Sequence, residues 1–325
     1  MNRVRLFQIA RTLRTGPIDY AWAQATFALL ALLRRLPADR SLKIAAWLGR
    51  TFGPFSARHQ LAKENLRLAF PDRDEAWIEA TVRRNWEEMA RFVAEYVFLD
   101  EIFDFDPNDP NVGRIEVDGV ERFLELRERK GPFIFFTGHL GSFELLPVCA
   151  ATFGLEITAL FRPPNNRHIA KRLLAARRTS GGHLVPSKAG AAWSLASTLD
   201  RGGAVGMLVD QKFRNGVLTR FFGRECLSNP LLPKLARQFD CEVYPARSIR
   251  LPNGRYRLEL QPRLDLPRGA DGAIDIPASC QLLNDVVEGW VRDNPEQWMW
   301  FHDRWHVGKA ARAKLAAQAA RKLGP

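Results

Sequence analysis

Apolar positions change rhythm along the chain. Between Asp74 and Leu99, Ile78, Val82, Trp86, Met89, Val93 and Tyr96 recur at spacings of three or four, which predicts one long amphipathic helix. Asp72 and Asp74, after Pro71, supply the acids expected at its start. The stretch "FDFDPNDPNVG", Phe103 to Gly113, is rich in Pro, Asn and Asp and reads as a linker. Beyond it, short apolar runs alternate with helical patterns. Pro132–Phe136, Glu156–Phe161, "HLVPSK", Ala204–Val209, Glu242–Ile249 and Arg255–Gln261 read as strands. Leu145–Phe153, Arg167–Thr179, Gly190–Asp200, Pro233–Phe239 and Pro277–Arg292 read as helices. This alternation predicts an α/β fold with a mostly parallel central sheet flanked by helices. No internal repeat is present.

The N-terminal pattern differs. Arg3, Arg5, Arg11 and Arg14 precede the first acid, Asp19, and an apolar core follows from Ala21 to Leu33. That core is short for a bilayer span, which takes about 20 residues. Basic Arg34 and Arg35 follow it and no small-residue cleavage site does, so a cleaved signal peptide is not expected. Trp22 and the flanking arginines suit a partly embedded, basic anchor at a membrane surface. An amphipathic core helix is the plainer alternative. The expected organisation is an anchor at 1–36, a helical part at 37–112, an α/β domain at 113–307 and a basic tail at 308–325, read as a solvated or membrane-facing helix.

Charge sharpens the picture of partners. Among 325 residues, 48 Lys and Arg face 36 Asp and Glu, a net charge of +12. Such a chain favours anionic lipid, acidic protein or nucleic acid. Nucleic acid is not expected, because no zinc-finger spacing, no RNP-type strand and no basic block beside exposed aromatics occurs. The four cysteines, Cys149, Cys226, Cys241 and Cys280, form no CxxC and read as reduced thiols. No metal site is expected, since the histidines lack ligand spacing. The basic segment 167–178 reads as a solvated face or a docking surface for an acidic carrier or phosphates.

In open α/β sheets, ligands bind beyond the carboxyl ends of strands. His139, Arg162, Ser187 with Lys188, and Asp210 all stand at such ends. In "FFTGHLGSFELLP", Gly138 and Gly141 allow a tight turn, Ser142 suits an N-cap, and Glu144 falls in the first helical turn. Glu144 is placed to bond one imidazole nitrogen of His139 and leave the other as a base; a strand-end histidine beside a solvated acid is the alternative. Asp210, in "MLVDQK", is read as orienting a substrate group, pairing with a basic residue across the site, or fixing a loop. His302 is a rival base, though its aromatic neighbours favour a packed histidine. Phe221 to Gly223 reads as a groove wall or a hairpin turn. The tryptophans Trp290, Trp298, Trp300 and Trp305 read as core or interface packing.

His139 and Glu144 form H-x4-E, and the flanks "GHLGSFELLP" resemble the late acyltransferases of lipid A biosynthesis, within the glycerolipid-type acyltransferase superfamily. "KENLRLAFP", "FRPPNN", "VDQKF", "FFGRECLSNP" and "PEQWMWFHDRW" follow the order of that family's blocks across most of the chain. Glu144 stands where many superfamily members carry Asp, and Ser228 stands where relatives often carry Thr. The resemblance implies transfer of a fatty acyl chain from an acyl carrier protein to a hydroxyl of a lipid A precursor, at the cytoplasmic face of the inner membrane, with no cofactor beyond that co-substrate. It implies His139 as general base with Glu144 as partner, Arg162 as a clamp for an anionic group, and Asn165, Asn166, Asp210 and Gln211 as substrate-binding residues. The same chemistry on another lipid acceptor, a hydrolase, or a non-enzymatic membrane protein remain the alternatives.

Overall fold

A computed structural model describes residues 3–106, 109, 112–161, 166, 168–169, 183–186 and 190–306, with side chains from residue 16 onward. Five helices lead the chain: α1 (Arg3–Leu33), α2 (Ala38–Phe52), α3 (Ala57–Ala69), α4 (Glu75–Glu95) and the short α5 (Leu99–Ile102). There follow β1 (Ile115–Asp118), α6 (Val120–Glu128), β2 (Phe133–Thr137), α7 (Leu145–Thr152), β3 (Ile157–Phe161) and β4 (His183–Pro186). The remainder holds α8 (Ala191–Asp200), β5 (Ala204–Leu208), β6 (Val217–Phe221), β7 (Arg224–Ser228), α9 (Leu231–Phe239), β8 (Glu242–Arg250), β9 (Tyr256–Leu260) and α10 (Ile276–Asp293).

Among the described residues, seven strands form the central sheet in the order β1-β9-β8-β2-β5-β3-β4, antiparallel only between β8 and β9. β2 lies at its centre, buried on both faces, as its unbroken apolar run requires. Ile134 and Phe136 enter one core with Leu66, Val82, Trp298 and Trp300. Phe133 and Phe135 enter the other with Leu42, Phe98, Leu145 and Tyr244. Both cores therefore draw on the leading helices as well as the sheet.

α4 begins as its sequence predicts, with Asp74 accepting from the Trp77 N–H at 2.8 Å. Its buried face differs from the expected apolar stripe. Val93 is exposed, and polar Asn85, Glu88 and Glu95 are buried beside Ile78, Val82 and Phe92. Phe222 and Gly223, both at positive φ, make the two-residue turn of the β6–β7 hairpin. Phe221 and Phe222 are packed among Trp298, Trp300 and Trp305, so "FFG" is a hairpin turn and no groove wall. Among the described residues no helix is long and apolar enough to cross a membrane.

Candidate active site

The register of two neighbouring strands creates the site. β2 and β5 run parallel with Thr137 opposite Leu208. Two residues on, His139 and Asp210 leave the sheet side by side. The His139 N–H donates to Asp210 Oδ2 at 2.7 Å, and His139 Nδ1 lies 2.7 Å from Oδ1. Trp298 Nε1–H donates to Oδ2, also at 2.7 Å. Burial alone would push the Asp210 carboxyl up, but the facing His139 and these bonds outweigh it and hold it below the usual carboxylate range. An ionised carboxylate only accepts, so Nδ1 of His139 bears a proton, and in the neutral form of the ring the lone pair lies on Nε2. The Gln211 side-chain amide reaches that nitrogen at 3.0 Å.

The turn after His139 is held on two sides. Gly141 has φ of 56°, and a Cβ there would overlap the Ser248 carbonyl. Its N–H donates to the Gln297 carbonyl at 3.0 Å, and the Met299 N–H donates to the His139 carbonyl at 3.1 Å. On the other side, Ser142 Oγ donates to Glu95 Oε2 at 2.8 Å. Glu95 is fully buried and also accepts from Arg250 Nε and Nη2 and from the Tyr256 hydroxyl. Burial opposes ionisation of Glu95, but Arg250 outweighs it and keeps the carboxyl low. Asn85 donates to the carbonyls of Glu296 and Trp298, and Asn65 to those of Trp300 and His302. The segment "PEQWMWFHDRW" is thus bound to α3 and α4 and presents Trp298 to Asp210.

The structure gives the place at Nδ1 to Asp210, where Glu144 was expected from its spacing. Glu144 precedes α7 in a helical conformation and accepts a hydrogen bond from the Tyr96 hydroxyl, at the end of α4. Both ring nitrogens of His139 are engaged by Asp210 and Gln211. The physical reason is strand order: β5 is inserted between β2 and β3, so a late acid meets an early histidine. Asn166 is engaged elsewhere. It donates to the Asp19 carbonyl at 2.7 Å and accepts from the N–H groups of His168 and Ile169. Arg162, Asn165, Ser187, Lys188, most of the basic segment 167–178 and the tail 308–325 lie outside the described residues.

His302 is a packed histidine. Its Nδ1 lies 2.8 Å from the Met299 carbonyl, its ring meets Trp298 edge-on, and burial lowers its pKa to about 4. Ser228 lies in a buried network with Thr219, Asn284 and Arg304. Spacing gave no sign of Tyr96, Glu95, Asn85 or Trp298 as site residues. The polar members of the α4 stripe were the available signal for two of them.

His139, Glu144, Gln211 and Tyr96 border a cavity of about 320 Å³. The rest of its lining is almost entirely apolar and includes Phe135, Phe143, Ile157, Ala159, Gly206 and Leu208. It reaches from the strand ends, at His139, back to Ile157 at the start of β3. Four residue steps along β3 alone cover about 13 Å. An imidazole lone pair therefore opens beside a long apolar slot. Among the described residues no cluster of His, Cys, Asp and Glu has the arrangement to hold a metal ion. All four cysteines are buried and unpaired, and burial pushes the Cys280 thiol up to about 12.

A family model described as bacterial lipid A biosynthesis acyltransferase matches residues 11–307. The chain is also 23% identical over 262 residues to a lipid A biosynthesis acyltransferase of Haemophilus influenzae, covering 79% of this chain and 78% of the relative.

Proposed function

The chain belongs to the bacterial lipid A biosynthesis acyltransferase family, and from that membership we propose a donor, a mechanism and a cellular place. The donor is an acylated acyl carrier protein and the acceptor a hydroxyl of a lipid A precursor. The observation that supports this best is the oriented lone pair of His139 Nε2 beside an apolar slot.

The fatty chain occupies the slot, and the thioester carbonyl rests near His139. The acceptor hydroxyl takes the place of the Gln211 amide at Nε2. As its oxygen attacks the carbonyl carbon, Nε2 removes the proton, and Asp210 stabilises the imidazolium that forms. Help of this kind contributes about 10²–10⁴-fold. Collapse breaks the C–S bond, and the imidazolium returns its proton to the departing sulfur. The products are an ester and the free carrier thiol. Glu144 is assigned to the substrate as a hydrogen-bond acceptor on the slot wall, and Arg162 to an anionic group of either substrate. The chemistry calls for no metal or cofactor.

α1 supports a place at the inner membrane's cytoplasmic face. Ile18, Trp22, Ala25, Leu29 and Leu32 are exposed and follow a helical stripe, while Ala23 and Leu33 are buried.

The test incubates purified protein with acylated carrier protein and a lipid A precursor and weighs the lipid product. One added acyl chain, lost in His139→Ala, is expected. Hydrolysis of the thioester with no gain in lipid mass would overturn the proposal in favour of a hydrolase.

A further inference from the structure

α2 packs one face inward and leaves the other uncovered. Leu42, Ala45 and Ala46 are buried, and Gly49 lies so close to α4 that a Cβ would overlap the Trp86 carbonyl. The outer face carries Arg40, Lys43, Ile44 and Trp47, at helical spacings of three, one and three. Phe52 closes the helix, and Phe55 stands in the single 3₁₀ turn after it. Trp47 is 60% exposed, Phe52 57% and Phe55 85%. The rings of Trp47 and Phe52 touch edge-on, with centroids 6.2 Å apart. Single exposed apolar residues are ordinary, but three large aromatics at one corner mark a contact surface.

Charge identifies what it contacts. Between positions 34 and 58 the chain has six basic residues, Arg34, Arg35, Arg40, Lys43, Arg50 and Arg58, all exposed. The single acid, Asp39, is bound to Arg114, and of the six cations Arg50 is paired with Glu87 of α4. Exposed aromatics at the end of a helix whose outer face also carries the cations Arg40 and Lys43 suit a deformable anionic surface. We propose that the outer face of α2 and the turn ending in Phe55 insert into the headgroup region of an anionic lipid bilayer, as a contact separate from the α1 stripe. This rests on the reading that the acceptor is a membrane lipid. Two contacts at different points of the fold fix the molecule's orientation on the bilayer, where one helix would only tether it.

The test uses the full chain with Phe55→Cys labelled by a polarity-sensitive dye; the four native cysteines are buried. The probes are phosphatidylcholine vesicles with and without phosphatidylglycerol. A blue shift and loss of iodide quenching on phosphatidylglycerol vesicles are expected. The triple variant Trp47→Ser, Phe52→Ser, Phe55→Ser should partition at least about tenfold more weakly, since burying even one such ring contributes that much. Its acyl transfer to detergent-dispersed acceptor should equal that of the parent. A label still open to iodide on vesicle-bound protein would overturn the contact. So would a dye shift produced by carrier protein without vesicles, or by self-association in sedimentation. If the label inserts while the parent transfers no acyl chain, the functional reading fails and the contact stands. If transfer proceeds with a wet label, the reverse holds.

Discussion

Two acids share the site with His139, and their positions separate their roles. Asp210 lies on Nδ1 and Glu144 on the slot wall. Asp210→Asn should lower kcat by about 10²–10⁴ with little change in KM, because it disturbs the tautomer and leaves the imidazolium unsupported. Glu144→Gln should raise the acceptor KM as well as lower kcat. Steady-state transfer kinetics on both variants checks this, and a pure kcat effect in Glu144→Gln would return the orienting role to that residue. Gly206 offers a second residue-scale test. A Cβ there would lie 3.1 Å from Ile157 Cγ2 and 3.7 Å from Ala159 Cβ, all on the slot wall. Gly206→Val should therefore narrow the slot and shift transfer toward shorter acyl donors, read from competition among donors of graded length. The histidine was legible in the sequence because glycines and an ended apolar run frame it. Asp210 was legible as another strand-end residue that could pair with a basic group across the site, but singling out 210 as the partner of 139 requires the strand order.

At the scale of elements, the turn carrying His139 depends on α4 and on the end of β8. Arg250 donates to Glu95 through Nε and Nη2 and to Glu88 through Nη1, all buried. Burial opposes both charges in the Arg250–Glu95 pair, and the pair survives because each group is hydrogen-bonded. Glu95→Ala would leave a buried guanidinium and an unpartnered Ser142. It should lower stability by about 3–5 kcal/mol, measured as a drop in the urea midpoint at unchanged m. A loss under about 1 kcal/mol would mean that Glu88 alone suffices for Arg250. Most strands and helices of the sheet were legible from apolar runs and their punctuation. β1, α6 and the two strands of the β6–β7 hairpin were not, because charged residues interrupt their apolar runs, although Phe221 to Gly223 was already open to reading as a hairpin turn. The inner face of α4 was misjudged for a related reason. Periodicity weighs apolar positions alone, while Asn85, Glu88 and Glu95 are inside for their hydrogen bonds.

For the whole molecule, the ordered sequence blocks become one scaffold. Asn65 of "KENLRLAFP" binds the carbonyls of "PEQWMWFHDRW", Arg224 of "FFGRECLSNP" donates to the Leu68 carbonyl, and Trp298 reaches Asp210 of "VDQKF". Their order was visible in the chain, but their meeting point was set by the fold. His302 lies in this scaffold, neutral because burial holds its pKa near 4. An unfolded histidine titrates near 6.5, so between these values the unfolded chain binds the extra proton. Stability is therefore present in full above about pH 6.5 and falls as pH drops toward 4, by at most about 3 kcal/mol from this group. Glu79 acts in a lower window. Burial would raise its pKa, but Lys63, His59 and Arg83 bring it to about 2, so its contribution persists above about 4.5 and fades between there and 2. His302→Asn keeps a donor for the Met299 carbonyl and removes the titration. Urea unfolding from pH 7 to 4 should then show a flatter stability curve in the variant, while the decline below 4.5 remains. Equal slopes between pH 6.5 and 4.5 in parent and variant would place that proton uptake on another group.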